Sequence, residues 1–370
     1  MRSPVICIDC SPILVRSAGV KTYLYHWLNA LRKQEDQAIL TFLEPSVHAL
    51  NHEGGIRLHP LQIATLLALN RLPRFFSGTL APPCHIFHAS NLLRSIPKRP
   101  RLTATIHDVT TWILPEYHTP GNLAADRAYA DRVFKRADGL IAVSENTKQD
   151  AIRTLGIPPD KIRVIHLGVP AAYRSAPHDS ITDVAQRIGL NKPYFLSVGT
   201  IEPRKNIDIL LSAWQSLPSP FRHAHDLIVA GPPGWSSDLT MKRLRQANAD
   251  NRGVRYLGYI AEPDLPALTA GATAFVYPSL YEGFGIPVAQ AMAAGSPVIT
   301  SNVSSLPEVT GGAAILIDPR SEAELTAAIL RVGESSDLRA QLKTRGIERS
   351  QIFTWERAAT ESLAFFSDIA

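Results

Sequence analysis

The segment from Tyr281 to Gln290 has the composition of a ligand-binding turn. A short apolar run precedes it and predicts a strand, and Pro287 stands where a helix is expected to begin. Gly283 and Gly285 therefore present backbone N–H groups beside a helix N-terminus, which is a favourable place for phosphate. Glu282 would repel that anion, so we expect its carboxylate to face an uncharged part of the ligand, such as sugar hydroxyls. An ordinary strand-to-helix turn is the alternative interpretation.

Two adjacent cations, Arg204 and Lys205, follow another apolar run and the turn glycine Gly199. Arg binds phosphate through two parallel hydrogen bonds, and Lys binds it as a point charge. At the carboxyl end of a strand, this pair could neutralise a diphosphate leaving group. The alternative is a solvated surface pair, because most Lys and Arg side chains are exposed.

The N-terminal half offers two weaker candidates. His107 follows the apolar run Leu102–Ile106, and it either faces a ligand cleft or bonds locally to Asp108. Gly19 and Val20 open the first long helical pattern and place a helix N-terminus toward the same cleft, with Lys21 as an added cation. A plain helix start is the alternative there.

The elements that must position these residues alternate between short apolar strands and helices at helical period. This pattern predicts parallel sheets with helical crossovers. It occurs twice, on either side of a polar segment at 170–183 that we interpret as a linker. Two such α/β halves predict a cleft between them, since open parallel sheets bind ligands at the carboxyl ends of their strands.

Composition limits the class of protein. The chain has 370 residues, which favours two domains. No apolar run is long enough to span a bilayer, and no signal peptide is recognised. Three cysteines argue against a disulfide scaffold, so cytoplasmic location is the default. Cys7 and Cys10 form a CxxC that we assign to a buried strand rather than to redox chemistry, and His85 and His88 do not by themselves indicate a metal site.

Charge is unevenly distributed. Residues 1–170 carry 20 Lys and Arg against 13 Asp and Glu, whereas the remaining 200 residues carry 18 against 20. Between Glu53 and Asp108 there is no acidic residue, and the basic residues there are Arg57, Arg71, Arg74, Arg94, Lys98, Arg99 and Arg101. No nucleic-acid-reading module accompanies them, so we predict loose peripheral association with anionic membranes through residues 57–101 and no nucleic-acid partner. Residues 60–76, which end in Phe75 and Phe76, are either a core helix or an interfacial amphipathic helix.

The ordered motifs resemble the retaining glycosyltransferases of family 4, which have the GT-B fold. GVKTY resembles the first glycine turn of that family, and IFHASNLL and TIHDVTTWILPEYH resemble its N-terminal core. Later motifs keep the family order: AVSENTKQDAI, HLGV, SVGTIEPRKNI, VAGPPGW, YLGYI, YPSLYEGFGIPVAQAMAAGSPVITS, SLPEV, IDP and FTWERAA. The resemblance covers nearly the whole chain.

This resemblance implies an α/β fold of two Rossmann-like domains that face each other across a cleft. It implies an acceptor-binding domain at 1–175, a domain that binds the nucleotide-sugar donor at 184–350, and a helix at 351–370 that packs back on the N-terminal domain. It also implies that the anomeric configuration is retained and that no metal is required, because protein cations replace it.

The resemblance assigns roles to residues. Arg204 and Lys205 would hold the donor diphosphate, Glu282 would contact the transferred sugar near its reacting face, and His107 would contact the donor sugar or the transferring centre. Gly258, Tyr259 and Ile260 would lie near the nucleobase. The remaining donor-binding positions are Gly19, Val20, Lys21, Gly199, Gly283, Phe284, Gly285, Ile286 and Gln290.

Two positions depart from the family pattern. Gln290 stands where the family has a carboxylate that grips the ribose hydroxyls, and a neutral amide accepts their protons less strongly. Lys21 and Thr22 stand where the family has a glycine and an arginine. We therefore expect altered ribose binding, and either a cation supplied by Lys21 or altered acceptor recognition.

Within the family, the N-terminal half looks most like bacterial mannosyl- or rhamnosyltransferases of surface-polysaccharide assembly. The resemblance thus implies a hexosyltransferase that uses a GDP- or UDP-linked sugar, with mannose from GDP-mannose favoured. The acceptor would be a saccharide or a lipid-linked saccharide of polysaccharide, lipopolysaccharide or O-antigen type. Two alternatives are a GT-B-fold nucleotide-sugar epimerase and a non-catalytic donor-binding subunit.

Overall fold

The chain forms two compact units. In a computed structural model, unit 1 comprises Met1–Pro115, Pro120–Gly168 and Thr354–Ala370, and unit 2 comprises Glu116–Thr119 and Val169–Phe353. The structure describes residues 4–15, 19–35, 38–44, 60–71, 81–94, 96–250 and 253–370.

Unit 1 is built on a parallel sheet of six strands. These are β1 (Ile6–Asp9), β2 (Ile39–Phe42), β3 (Ile86–Ala89), β4 (Arg101–Ile106), β5 (Gly139–Ala142) and β6 (Ile162–Val164), in the order β2-β1-β3-β4-β5-β6. Its helices before the crossing to unit 2 are α1 (Gly19–Glu35), α2 (Pro60–Arg71), α3 (Thr110–Ile113), α4 (Pro120–Arg132) and α5 (Glu145–Leu155). Strand order reverses between β1 and β3, so the carboxyl ends of these two strands flank the topological switch point.

The apolar strand sequences are explained by helices on both faces of the sheet, which bury every side chain of the strands β1, β3 and β5. Cys7 and Cys10 are fully buried, and the Cys10 thiol lies 3.6 Å from the Ile8 carbonyl oxygen. Cys7 belongs to the apolar core with Phe87 and Ala104. The CxxC is therefore part of the core, as its place on the first strand indicates.

Unit 2 has a second parallel sheet of six strands. These are β7 (Tyr194–Val198), β8 (Asp226–Ala230), β9 (Val254–Gly258), β10 (Ala274–Tyr277), β11 (Val298–Ser301) and β12 (Ile315–Ile317), in the order β12-β11-β10-β7-β8-β9. This is the Rossmann order, and its switch point lies between β7 and β10. The helices are α6 (His178–Arg187), α7 (Ile207–Ser216), α8 (Ser219–Ala224), α9 (Asp238–Ala249), α10 (Leu265–Ala270), α11 (Ile286–Ala293), α12 (Leu306–Thr310), α13 (Glu322–Glu334) and α14 (Ser336–Ser350).

The last helix, α15 (Trp355–Ile369), belongs to unit 1. Thr354 caps it by accepting a hydrogen bond from the Arg357 backbone N–H. It packs against α1, where the Trp27 indole N–H donates to the Ser362 hydroxyl at 3.0 Å. An apolar face that includes the fully buried Phe366 holds the helix in place. The C-terminal motif thus completes the core of the N-terminal unit.

Helix α2 divides its apolar residues between the core and the surface. Ile63 and Leu66 are buried, whereas Leu61 is 80% exposed and Leu67 is 51% exposed. The helix therefore has one side in the core, as expected of a core helix, and exposed leucines, as expected of an interfacial amphipathic helix. Of the basic and aromatic residues on which the membrane prediction depends, Arg57, Arg74, Phe75 and Phe76 lie outside the described residues. Among the described helices, none is long and apolar enough to cross a bilayer.

A glycine at the end of β8 allows two strand ends of unit 2 to meet. Gly231 has φ +140°, its N–H donates to the Gly258 carbonyl at 2.7 Å, and an added Cβ would lie 1.9 Å from the Gly199 carbonyl oxygen. We expect Gly231→Ala to lower the free energy of unfolding by about 3 kcal/mol or more, because both backbone strain and a backbone clash oppose it.

The matched control is Gly312→Ala. Gly312 also has a positive φ, +83°, but an added Cβ there meets no atom within 4 Å. Its expected loss is about 1–2 kcal/mol, the cost of the left-handed conformation alone. Urea unfolding followed by tryptophan fluorescence measures both variants, and equal losses would show that the close approach of the strand ends does not constrain Gly231.

Candidate active site

The loops that follow β7 and β10 meet at the switch point of unit 2. The Leu280 N–H donates to the Arg204 carbonyl at 2.8 Å. The Asn206 side-chain amide donates to the carbonyls of Pro278, at 3.1 Å, and Pro319, at 2.7 Å. Asn206 holds a left-handed backbone conformation at the start of α7. These bonds fix the loop that carries the two cations against the loop that carries Glu282.

Glu282 is the centre of a buried ion cluster. Its Oε2 lies 2.9 Å from the Arg204 guanidinium, and its Oε1 lies 2.6 Å from the Lys205 ammonium. The other end of the Arg204 fork contacts Glu202 Oε1 at 2.6 Å. Two cations and two carboxylates therefore balance within one cluster, which we call the ion cluster of unit 2. The alternative of a solvated Arg–Lys pair is wrong for this structure, because both side chains are only 12% exposed.

Hydroxyl groups complete the coordination of Glu282. The Ser279 hydroxyl donates to Oε1 at 2.6 Å, and the Tyr277 hydroxyl lies 3.0 Å from the same atom. Lys205 also donates to the Tyr277 hydroxyl at 2.6 Å. Burial by itself would raise the pKa of Glu282, but the charges of Arg204 and Lys205 lower it to about 2. Glu282 is therefore an anion at every pH above that value and acts as an acceptor of hydrogen bonds.

The glycine loop that leads into α11 lies beside the ion cluster. Gly285 has φ +94° and caps the helix, and an added Cβ would lie 2.7 Å from Leu306 Cδ2. Phe284 is buried, with its ring in edge contact with Phe353 at 5.3 Å. The Glu282 backbone N–H donates to the Ser304 hydroxyl at 2.9 Å. The loop is thus fixed from several sides, and the helix begins at Ile286, one residue before the predicted start.

Several predicted donor-binding positions lie at other strand and helix ends of unit 2. Gly199 follows β7 and, with Lys205 and Tyr277, lines a small hollow that has no room for a water molecule. Gly258 ends β9 with φ +67°, Tyr259 after it is 37% exposed, and Ile260 is half-buried. Gln290 lies on α11 and is half-buried.

Two of the four predicted site residues of the N-terminal half, Val20 and His107, line a cleft of unit 1. This cleft contains about 850 Å³ of empty space, part of it open solvent, and its described lining consists of Asp9, Pro12, Val20, Tyr23, Leu24, His88, Ala89, Ser90, Asn91, Thr105, His107, Asp108, Trp112, Asp126, Tyr129 and Phe134. It opens at the switch point between β1 and β3. We call it the unit 1 cleft.

His107 enters this cleft as a neutral imidazole. Its ring makes an edge contact with Tyr23, with ring centroids 4.8 Å apart. Burial lowers the pKa of His107 to about 4, although the charge of Asp108 acts in the opposite direction. Asp108 itself accepts hydrogen bonds from the N–H, at 3.0 Å, and the hydroxyl, at 2.6 Å, of Thr110. His107 therefore carries no charge at neutral pH and can exchange hydrogen bonds with a neutral ligand.

The start of α1 places its three predicted residues differently. Val20 lines the unit 1 cleft, and Gly19 is the first residue of the helix, with open space around an added Cβ. Lys21 is 2% exposed, and its ammonium donates to the Val15 carbonyl at 3.2 Å. Burial lowers the pKa of Lys21. The ammonium thus holds the backbone that precedes the helix.

Both ring nitrogens of His88 lie within hydrogen-bond distance of threonine hydroxyls. Its two ring nitrogens lie 3.0 Å from the hydroxyls of Thr103 and Thr105, and burial lowers its pKa to about 3. His85 accepts a hydrogen bond from the Val5 N–H at 2.9 Å. Within the described part of the chain, no group of three or more His, Cys, Asp or Glu side chains is arranged to hold a metal ion.

Sequence reasoning missed four residues that the structure brings into the two sites. Glu202, Tyr277 and Ser279 belong to the ion cluster of unit 2, and Asp126 lines the unit 1 cleft. The sequence could have indicated Glu202, because this carboxylate stands two residues before Arg204 in the same strand-end loop. Asp126 lies on α4 with no motif around it, and only the folded chain places it beside Asp108.

The fold and the site at its switch point define the class of protein. Two Rossmann-like units, the first completed by the C-terminal helix, are the architecture of GT-B glycosyltransferases, as the sequence predicts. HepE of Anabaena superimposes with a TM-score of 0.73 at 19% identity, covering 98% of this chain and 99% of that one. WaaG, a glycosyltransferase involved in lipopolysaccharide biosynthesis, superimposes with a TM-score of 0.71 at 16% identity, covering 98% and 99%.

The family follows from sequence comparison. The model of the glycosyl transferases group 1 matches residues 181–349, and that of glycosyltransferase family 4 matches residues 17–173. O-antigen chain mannosyltransferase B of Escherichia coli is 35% identical over 281 residues, which are 75% of this chain and 73% of that protein. The serotype-specific mannosyltransferase WbdA of Escherichia coli is 27% identical over 237 residues, 63% of this chain but only 29% of that protein. The chain belongs to glycosyltransferase family 4, and the prediction of a glycosyltransferase is confirmed.

The charge balance of the ion cluster leads to a testable prediction. Glu202→Gln keeps an oxygen that accepts the Arg204 hydrogen bond but removes one of the two negative charges that offset Arg204 and Lys205. We expect the variant to bind inorganic pyrophosphate more tightly than the wild type, by roughly tenfold, because the cluster gains net positive charge.

Isothermal titration calorimetry measures this change. The control is Asp208→Asn, which removes a carboxylate that pairs with Arg243 at 2.6 Å and is 43% exposed. It should leave pyrophosphate affinity unchanged. Unchanged or weaker binding by Glu202→Gln would show that Glu202 does not oppose anion binding in this cluster.

Proposed function

We propose that the protein transfers mannose from GDP-mannose to a saccharide or lipid-linked saccharide acceptor in the synthesis of a polysaccharide of O-antigen type. The ion cluster of unit 2 is the observation that carries the proposal, since it holds two cations beside a glycine loop and a helix N-terminus. The choice of mannose and of this pathway class rests on the 35% identity to the O-antigen chain mannosyltransferase over about three quarters of both chains.

The cluster suits departure of a nucleoside diphosphate. The charge that develops on the leaving group is stabilised most by donors already fixed in position, because they need not reorganise during the reaction. Arg204 and Lys205 are fixed by Glu202, Glu282 and the Tyr281 carbonyl, which accepts from Arg204 at 2.6 Å. In this proposal the diphosphate takes over part of the charge pairing that Glu202 and Glu282 supply to the two cations.

Glu282 contacts the transferred sugar in this proposal. A carboxylate whose pKa is held near 2 accepts hydrogen bonds from sugar hydroxyls and cannot donate a proton to the leaving group at neutral pH. The backbone N–H groups of Gly283, Phe284 and Gly285 would meet sugar and phosphate oxygens. Gln290 would contact the ribose with a neutral amide, which can donate one hydrogen bond and accept another.

We also propose that the reaction retains the anomeric configuration and needs no metal ion. The observation that supports this is the pair of fixed cations, Arg204 and Lys205, which would offset the diphosphate charge without a metal. His107, neutral by virtue of its lowered pKa, would contact the donor sugar without adding charge at the transferring centre.

The site assignment is tested by two substitutions. We expect Arg204→Ala and Glu282→Ala each to lower kcat with GDP-mannose by a factor on the order of 10²–10³, the usual loss when one fixed donor or its support is removed from a transition state. Turnover is measured as GDP release in the presence of an acceptor extract, in a buffer that contains a metal chelator.

Arg243→Ala is the control, because Arg243 also pairs with a carboxylate but is 45% exposed on α9. It should keep wild-type turnover. Wild-type kcat in Arg204→Ala or Glu282→Ala would show that the ion cluster is not the donor site. Product analysis separates the rival functions, since an epimerase consumes nucleotide sugar without acceptor and a non-catalytic subunit does not turn over donor at all.

We propose further that the protein associates peripherally with anionic membranes through α2 and the loop that follows β3. Leu61 and Leu67 are exposed on α2, and the Asn70 side chain bonds to Leu92 and Arg94 of the loop at 3.0 and 2.8 Å. These hydrogen bonds hold α2, with its exposed leucines, against the loop. The loop carries the exposed basic residues Lys98 and Arg99, and the exposed Arg101 follows at the start of β4. Apolar side chains beside basic ones are the combination that binds an anionic lipid surface.

Vesicle sedimentation tests this proposal. The wild type should sediment with vesicles of phosphatidylglycerol and phosphatidylcholine at low salt, less so at high salt, and not with phosphatidylcholine alone. The double variant Leu61→Asp/Leu67→Asp should lose most of this binding. Leu239→Asp, at a leucine that is 79% exposed in unit 2, should keep it. Absence of sedimentation by the wild type at low salt would refute membrane association.

A further inference from the structure

Two carboxylates of the unit 1 cleft, Asp108 and Asp126, have no role in the proposed donor site. Its floor is closed, because Asp9 accepts hydrogen bonds from the Ser11 N–H at 3.0 Å and from the Ser90 hydroxyl at 2.5 Å. Asp9 is 1% exposed and is thereby fully engaged. The groups free to meet a ligand therefore lie on the walls, at the end of β4 and on α3 and α4.

Two carboxylates stand on these walls. Asp108 follows β4 and keeps one oxygen engaged with Thr110, and Asp126 is half-buried on α4. Burial and the nearby charge of Asp108 together raise the pKa of Asp126 to about 6. The two negative charges thus repel each other, and a further negative charge in the cleft would be unfavourable.

The remaining wall is apolar or neutral. Trp112 is half-buried, and Tyr129 and Phe134 make an edge contact with ring centroids 4.8 Å apart. The Tyr129 hydroxyl is already used, since it donates to the Ala89 carbonyl at 3.1 Å. His107 adds a neutral imidazole. A concave site with aromatic walls and a few convergent polar groups fits a small ligand that has an apolar face and several hydroxyls.

We propose that the unit 1 cleft binds an uncharged sugar ring of the acceptor, whose hydroxyls donate to Asp108 and Asp126, and that these carboxylates exclude acceptors with phosphate or carboxylate groups near that ring. A carboxylate accepts two hydroxyl protons through charge-assisted bonds, about twice as strong as neutral ones. A phosphate in the same position meets like charge in a partly desolvated site, which is strongly unfavourable. The inference rests on the proposed transferase function and specifies its acceptor class.

Asp126 is the specificity residue that can be tested without loss of the fold. Its raised pKa shows that ionised Asp126 is less favourable in the folded chain than in the unfolded chain, so Asp126→Asn should keep or gain stability at neutral pH. Asp131→Asn is the matched control, because Asp131 lies on the same helix, is 64% exposed and pairs with Lys135.

The probes are methyl α-D-mannopyranoside and N-acetylglucosamine, each compared with its 6-phosphate, and titrated onto the full-length chain in the presence of GDP by ligand-observed NMR. We expect at least one neutral sugar to bind roughly tenfold or more tightly than its phosphate. Asp126→Asn should lower the affinity for the neutral sugar by roughly five- to twentyfold, and it should reduce the ratio of this affinity to that for the phosphate. Asp131→Asn should change neither the affinity nor the ratio.

A pH series adds a readout that a purely structural role would not move. Wild-type affinity for the neutral sugar should fall as pH falls through about 6, where Asp126 gains a proton, and Asp126→Asn should lack this step. The other titratable groups that line the cleft are Asp9, Asp108, Tyr23, Tyr129, His88 and His107. Burial also raises the pKa of Asp9, so the step assigned to Asp126 is the one that Asp126→Asn removes. His107 and His88 stay neutral throughout this range because their pKa values are about 4 and 3.

Three outcomes would overturn the inference: equal or tighter binding of a phosphate, an Asp126→Asn variant with wild-type affinity and pH profile, or no binding of either neutral sugar. Turnover of GDP-mannose is measured separately with the same preparations. Loss of that donor activity alone would refute the proposed donor, while the acceptor inference would still be decided by the binding titrations.

Discussion

Charge pairing within the ion cluster of unit 2 is the interaction on which the proposed donor site depends. Removing charges from water is costly, so buried cations and carboxylates persist only where each is paired and hydrogen-bonded. Arg204 satisfies this through Glu202 and Glu282, and Lys205 through Glu282 and the Tyr277 hydroxyl. The partners come from two strand ends that are far apart in sequence, so the cluster forms only if β7 and β10 are neighbours. A charge-balanced cluster of this kind can exchange one pairing for another when an anion arrives.

The same topology produces a second site with different chemistry. In both units the strand order reverses once, and the loops at that reversal carry the polar residues. Unit 2 places cations there, which favour a diphosphate. Unit 1 places carboxylates and neutral imidazoles there, which favour hydroxyl groups. Each unit thus places a different set of charges at its switch point.

Sequence patterns were most reliable where they depend on local physics. The apolar runs predicted the strands, and Gly283, Gly285 and Pro287 predicted the glycine loop before α11, where Gly285 adopts a positive φ in the structure. Burial was harder to predict. Arg204 and Lys205 were equally compatible with solvent, and Lys21 was treated as a cation for a ligand although its ammonium bonds to the Val15 carbonyl. Neighbouring residues in sequence do not reveal which carboxylate will neutralise a cation.

By itself, the sequence determined the family, the α/β class, the two-unit organisation and the identity of the cations and of Glu282, because these follow from ordered motifs and from apolar periodicity. The tertiary structure decided the charge state of the sites. It brought Glu202 and Ser279 to the ion cluster and Asp126 to Asp108, and it partly removed His107 from water so that its imidazole is neutral. The reason is physical: a pKa and the net charge of a site are set by burial and by charges across space, and neither quantity is encoded in the spacing of residues along the chain.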